Sequence, residues 1–111
     1  MNDKFYVSLE AARLLKEKGY DEKTDFFIDE YGIWKWDNRA FLDLPCPTKA
    51  EAIDWLDERR FARIVIHYRP YSGEWYGEVI SFNNWTSDIT DDYKPRLEAE
   101  EAAIIKALEL L

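Results

Sequence analysis

The sequence predicts an α+β fold, an antiparallel four-stranded sheet with helices covering one face. Three observations carry this expectation. Three segments space their apolar residues as helices do, two others alternate with period two around turn residues, and the order along the chain is helix, hairpin, helix, hairpin, helix. The 111 residues read as one domain, 1–111, since a chain of this size buries roughly two thirds of its unfolded surface. The two helix–hairpin units share no readable sequence, so their recurrence is one of topology.

The first helix is expected between Ser8 and Gly19. Ser8 can accept from a free amide, Glu10 sits in the positive first turn, Lys16 and Lys18 sit in the negative last turn, and Gly19 ends it. Leu9, Ala12 and Leu15 then share a face. The first hairpin, Asp25 to Asp37, is expected to turn through three residues with Gly32 in the left-handed position. Placing Asp29 opposite Ile33 would set Ile28 against Trp34 and Phe26 against Trp36 on the core face. Pro45-Cys46-Pro47 is expected to break regular structure. Thr48 and Glu51 have capping-box spacing and open a second helix that ends near Arg59 or Arg60, with Ala52, Ile53, Trp55 and Leu56 inward.

The second hairpin is clearer, because two alternating runs, 62–69 and 74–82, flank Pro70-Tyr-Ser-Gly73. Pairing Arg69 with Glu74 puts Tyr68, Ile66 and Ile64 against Trp75, Gly77 and Val79 on one face. Arg63, Val65, His67, Arg69, Glu74, Tyr76, Glu78 and Ile80 then occupy the other. Residues 83–90 read as a loop, and Asp91 or Asp92 as the cap of a last helix with Pro95 in its first turn. The expected core joins Trp34, Trp36, Leu56, Ile64, Ile66, Tyr68, Ile104 and Leu108.

Composition narrows function. Apolar residues make up 47% of the chain, with five Trp, seven Tyr and six Phe, which predicts a cooperative fold. Asp and Glu outnumber Lys and Arg by 23 to 15, and the resulting charge of −8 repels phosphate backbones and anionic membranes. No nucleic-acid or membrane partner is therefore expected, although Arg59, Arg60, Arg63 and Arg69 could line a local patch. One cysteine allows no internal disulfide, and the N-terminus lacks the basic start and apolar run of a signal peptide; both favour the cytoplasm.

Little catalytic chemistry is visible. The single His67 and the single Cys46 lie on different elements and offer no catalytic pair. Asp88, Asp91 and Asp92 have no metal-loop spacing, and four scattered glycines make no phosphate loop. No catalytic residue, metal ligand or cofactor is expected. The start Val7-Ser-Leu-Glu-Ala-Ala-Arg-Leu-Leu15 resembles the first helix of winged-helix excisionases, but a hairpin stands where their recognition helix would follow.

A broader likeness covers nearly the whole chain. At Tyr6-Val-Ser-Leu-Glu-Ala-Ala-Arg-Leu-Leu-Lys-Glu-Lys-Gly-Tyr20, Pro47-Thr-Lys-Ala-Glu-Ala-Ile-Asp-Trp-Leu56 and Ile105-Lys-Ala-Leu-Glu-Leu-Leu111 it resembles a family of small uncharacterised proteins of gut Bacteroidales and their phages or mobile elements. The resemblance implies a cytoplasmic bacterial or phage protein and carries over no catalytic residue.

The expected function is that of a non-enzymatic interaction or accessory protein whose partner is another protein or a second copy. Its contact residues are Arg63, Val65, His67, Arg69, Tyr76 and Ile80, because aromatic side chains mixed with Arg suit a contact surface. One alternative is an acidic nucleic-acid mimic using Asp88, Asp91, Asp92, Glu98, Glu100 and Glu101. Another is a small enzyme centred on His67 with Tyr76 and a neighbouring Glu, which would need a concave pocket around the imidazole.

Overall fold

A computed structural model describes residues 3–35 and 44–111. After a single 3₁₀ turn, Asp3–Phe5, the elements are helix α1 (Leu9–Glu17), strands β1 (Phe26–Asp29), β2 (Gly32–Lys35) and β3 (Leu44–Pro45), and helix α2 (Lys49–Glu58). Strands β4 (Ala62–Arg69), β5 (Glu74–Ser81) and β6 (Ser87–Ile89) and helix α3 (Arg96–Glu109) follow. The class is α+β, as expected, with antiparallel strands throughout. The single four-stranded sheet is not found. Two three-stranded sheets form instead, ordered β2-β1-β3 and β4-β5-β6, and each hairpin acquires a third strand, so the plain helix–hairpin repetition does not hold. The reason is edge competition: β3 takes the free edge of β1 and β6 takes the free edge of β5, where the two hairpins would otherwise have met. At two and three residues, these strands fall below the length at which alternation is readable.

Helix starts follow the side-chain chemistry. Ser8 Oγ accepts from Ala11 N at 3.2 Å, and Gly19 closes α1 at φ +92°, a conformation that favours glycine. Thr48 Oγ1 accepts from Glu51 N at 3.1 Å while the Glu51 carboxylate accepts from Thr48 N at 2.9 Å, completing the capping box. Thr48→Ala should cost about 1 kcal/mol, read as a lowered urea midpoint with unchanged slope. The third helix departs from expectation. Neither Asp91 nor Asp92 caps it; α3 begins at Arg96 after Pro95, with no side-chain cap, because 87–93 run alongside β5 and Asp92 is drawn to Arg69.

The first hairpin is slipped by one residue. Asp29 pairs with Gly32, Ile28 with Ile33, Phe27 with Trp34 and Phe26 with Lys35, leaving a two-residue turn of Glu30 and Tyr31. Asp29 Oδ1 sets it, accepting from Tyr31 N (2.8 Å), Gly32 N (3.1 Å) and the Trp34 indole N–H (3.0 Å). A one-residue slip inverts every side chain of the second strand. Trp34 is therefore 48% exposed rather than in the core, and Ile33 replaces it against Ile28. Trp36, its expected companion, lies outside the described residues.

The core gathers around α3. Leu15, Leu56, Val79, Ala103, Ile104, Ala107 and Leu108 are fully buried, and Ile64 and Ile66 pack against them partly exposed. Tyr68, expected inside, is 50% exposed at the turn end of the hairpin, its ring centre 4.7 Å from that of Trp75 and the planes tilted by 49°. The α3 helix lies on β5 where Gly77 faces Ala103; a Cβ at position 77 would come within 2.6 Å of the Ala103 Cβ. Cys46, between its two prolines, is buried, with its Sγ 3.6 Å from the Val7 carbonyl oxygen. Burial first, then Glu101 and Asp3, push its thiol up to about 12, which makes it inert at neutral pH.

Two acidic residues of α3, Glu100 and Glu101, turn inward. Glu100 is buried beside Arg96, whose Nε donates to it at 3.2 Å. Glu101 accepts from Ser8 N (2.8 Å) and Ser8 Oγ (3.1 Å), so α3 caps the start of α1. Burial raises the Glu101 pKa against the opposing hydrogen bonds from Ser8. The folded state thus holds this proton more tightly than the unfolded chain, and stability present below the ordinary carboxylate pKa is lost as pH rises through the raised folded value. Glu101→Gln keeps an acceptor for Ser8 N and should flatten that decline, seen as urea midpoints that no longer fall across this acidic window.

Candidate functional site

The long hairpin folds in the register the sequence predicts, Arg63 opposite Ile80, Val65 opposite Glu78, His67 opposite Tyr76 and Arg69 opposite Glu74. Because side chains alternate across a strand, Arg63, Val65, His67, Arg69, Tyr76 and Ile80 all project from the face turned away from α3. The third strand extends that face. Glu78 pairs with Ile89 and Ile80 with Ser87, in a stretch that the sequence predicts to be a loop. Beyond Ile89 the strand continues irregularly: Thr90 bonds Gly77 through both its backbone N–H and its hydroxyl oxygen, and Tyr93 bridges Trp75. This bulge-like detour brings Asp92 to Arg69 across the hairpin.

One continuous ladder of contacts crosses the three strands. Asp92 Oδ1 accepts from Arg69 Nε at 2.9 Å, and the Arg69 guanidinium lies 4.2 Å from the centre of the Tyr76 ring. Tyr76 stacks on His67, centroids 4.9 Å apart and planes 20° from parallel. His67 Nε2 is 2.9 Å from Glu78 Oε1, and Glu78 Oε2 accepts from Ser87 Oγ at 2.6 Å. Hydrogen bonds from Ser87 and then His67 hold Glu78 below the usual carboxylate range. Each member fixes the rotamer of the next, so the array is held before anything touches it.

The far end of the face has a second aromatic group. Arg63 donates to both Asp57 oxygens at 3.3 Å, and the Arg60 and Arg63 guanidinium carbons each lie 5.6 Å from the centre of the Phe82 ring. Trp85 meets Phe82 edge-on at 5.8 Å and is 74% exposed. Its backbone is left-handed at φ +56°, because a four-residue connection from Ser81 to Thr86 closes through Trp85 N to Ser81 O and Ser81 N to Thr86 O. A bulky residue there is strained. The pair Asn83-Asn84 was the signal for a tight turn; nothing in the sequence marks the strain.

The six residues picked from sequence thus share a face, but the structure joins only some of them. His67, Arg69 and Tyr76 touch in series, whereas Arg63 and Ile80 sit at the Trp85 end and Val65 lies beside Glu78. Asp92, Ser87, Ile89, Phe82 and Trp85 were missed. An open cleft of about 560 Å³ lies at the hairpin end between Tyr68, Tyr71, Glu74, Tyr76 and Asp92, and His67 does not line it.

No family model, no curated protein and no solved structure matches this chain. Function therefore rests on geometry. Among the described residues no three His, Cys, Asp or Glu side chains are grouped to hold a metal ion, and no helix is long and apolar enough to cross a membrane. Three of the acidic residues around α3 have side-chain or backbone partners. Asp92 is bonded to Arg69, Glu100 to Arg96 and Glu101 to Ser8, while Asp91 and Glu98 are exposed. The arginines are similarly committed: Arg59 to Asp21, Arg63 to Asp57 and Arg69 to Asp92.

Proposed function

We propose that this chain is a non-enzymatic interaction protein, an accessory protein of the phage or mobile-element kind its resemblance implies, which meets a protein partner or a second copy through the outer face of β4, β5 and β6. The observation that carries this reading is the contact ladder from Asp92 through Arg69, Tyr76, His67 and Glu78 to Ser87, with Val65, Ile80 and Ile89 as apolar neighbours. Aromatic and Arg side chains dominate binding energy at protein interfaces. Holding them in fixed rotamers reduces the entropy lost on association. The imidazole of His67, stacked on Tyr76 and bonded to Glu78, is one member of this ladder, an arrangement that suits a contact surface. We place its work in the cytoplasm, on the strength of a lone buried thiol.

A photo-reactive residue replacing Ile80 tests the face in the producing cell. A discrete crosslinked adduct is expected, and it should vanish when Tyr76→Glu is added, since a carboxylate cannot be hydrated inside an interface. Absence of any adduct, together with a monomer in sedimentation at high concentration, would refute the proposal.

A further inference from the structure

The β4 strand is the outermost strand of its sheet and eight residues long. The hydrogen-bonding pattern shows which of its groups look outward. Odd-numbered residues of β5 and its extension bond towards β6: Trp75 with Tyr93, Gly77 with Thr90, Ser81 with Thr86. Even-numbered residues of β5 therefore bond towards β4, where their partners are odd, as the bond from Phe82 N to Phe61 O continues. Ala62, Ile64, Ile66 and Tyr68 are left directing N–H and C=O away from the sheet. Among the described residues no hydrogen bond reaches Ile64, Ile66 or Tyr68 from that side. An unpaired row of this length is a template for another strand.

The side chains along this edge differ by face. On the outer face Arg63 and Arg69 carry positive charge at exposed positions with His67 between them. On the inner face Ile64 and Ile66 are only partly covered, and Tyr68 is half exposed, because α3 lies over β5. A second copy fits this edge poorly. The antiparallel self-pairing centred on Ile66 places Arg63 opposite the second copy's Arg69, where like charges repel, and the one centred on Val65 runs Arg69 past the end of the second copy's strand, onto Phe61.

We propose that the β4 edge receives an extended strand of a partner protein whose alternate residues are acidic and apolar. The acidic positions meet Arg63 and Arg69 through guanidinium N–H groups that Asp57 and Asp92 do not occupy, on either side of His67, whose Nε2 is bonded to Glu78. The apolar positions complete the cover of Ile64, Ile66 and Tyr68, and backbone bonds to Ile64, Ile66 and Tyr68 supply the register. The inference rests on the reading of this sheet as the contact surface and names the partner's chemistry.

A labelled synthetic peptide of alternating Glu and Val, about eight residues long, serves as the probe in fluorescence anisotropy at neutral pH and low salt. It should bind at least about tenfold more tightly than the Lys and Val counterpart. Tyr68→Pro removes an outward N–H that no strand among the described residues uses, so the circular dichroism spectrum should persist while peptide binding falls. Arg63→Glu with Arg69→Glu, which leaves the backbone edge intact, should reverse the preference between the two peptides. Equal affinity for both peptides, no binding of the Glu and Val peptide, or wild-type affinity in a folded Tyr68→Pro variant would each overturn the proposal. A wild-type dimer that Tyr68→Pro dissociates would overturn it in favour of self-pairing. Tyr76→Glu changes the face and not the edge, so an adduct that survives it while the Glu and Val peptide still binds means that the face reading alone has failed, and an adduct that it abolishes in a protein binding neither peptide means that the edge reading alone has failed.

Discussion

Trp55→Ala is expected to lower stability by about 3–5 kcal/mol, the range for emptying a large aromatic site. The Trp55 side chain is 3% exposed and central to an aromatic cluster, with ring centres 5.2 Å from Tyr20 and 5.4 Å from Phe61, and Arg59 lies 5.7 Å over its ring. Its indole N–H is buried without an acceptor among the described residues. Substitution by Phe removes that unbonded donor together with part of the ring, so Trp55→Phe should cost much less than Trp55→Ala. Urea unfolding followed by far-ultraviolet circular dichroism measures both, and equal midpoints for the two variants would show that ring volume does not set the stability of this region.

Gly77→Ala is the second large effect, and it comes from crowding. The added methyl would lie 2.6 Å from the Ala103 Cβ, 3.4 Å from the Ala99 carbonyl oxygen and 3.5 Å from Ile66 Cδ1. Carbon atoms at rest sit roughly 3.5–4.0 Å apart, so α3 must shift by about 1 Å. The cost should reach or exceed the upper end of the roughly 1–3 kcal/mol usual for overpacking, because the helix backbone cannot rotate away as a side chain could. Ala103→Gly reopens the space at the price of about 1 kcal/mol of helix propensity. The double variant should therefore be more stable than Gly77→Ala alone, and additive losses in denaturant midpoints would mean that the two residues do not touch.

What the sequence made legible follows from the length and chemistry of each signal. The β4–β5 register was readable because eight residues alternate on each side of Pro70-Tyr-Ser-Gly73, and with it the whole membership of the outer face. Thr48 with Glu51, and Ser8, announced their helices because a hydroxyl at that spacing has an amide to satisfy. The β1–β2 slip was hidden in Asp29, whose single oxygen gathers three N–H groups and outweighs the loop length that Gly32 suggested. Short strands such as Leu44–Pro45 and Ser87–Ile89 carry too few residues for a period. Without β6, the roles of Ser87 and Asp92 in the ladder could not be read. Helical spacing gives no sign of the Glu101 contact, because its partner Ser8 lies 93 residues away.

That separation also bears on how the protein is made. The α3 helix, residues 96–109, supplies Ala103 beneath Gly77, Ile104 and Leu108 to the core, and the carboxylate that closes the start of α1. A nascent chain emerging from a ribosome can form its hairpins and the capped turns of α1 and α2, but it has nothing to lay across β5 until α3 has left the exit tunnel. The apolar sides of both earlier helices and of the long hairpin stay open until α3 follows them, and closure comes as one long-range event. Any factor that shields hydrophobic surface on translating ribosomes would therefore hold these segments until α3 arrives.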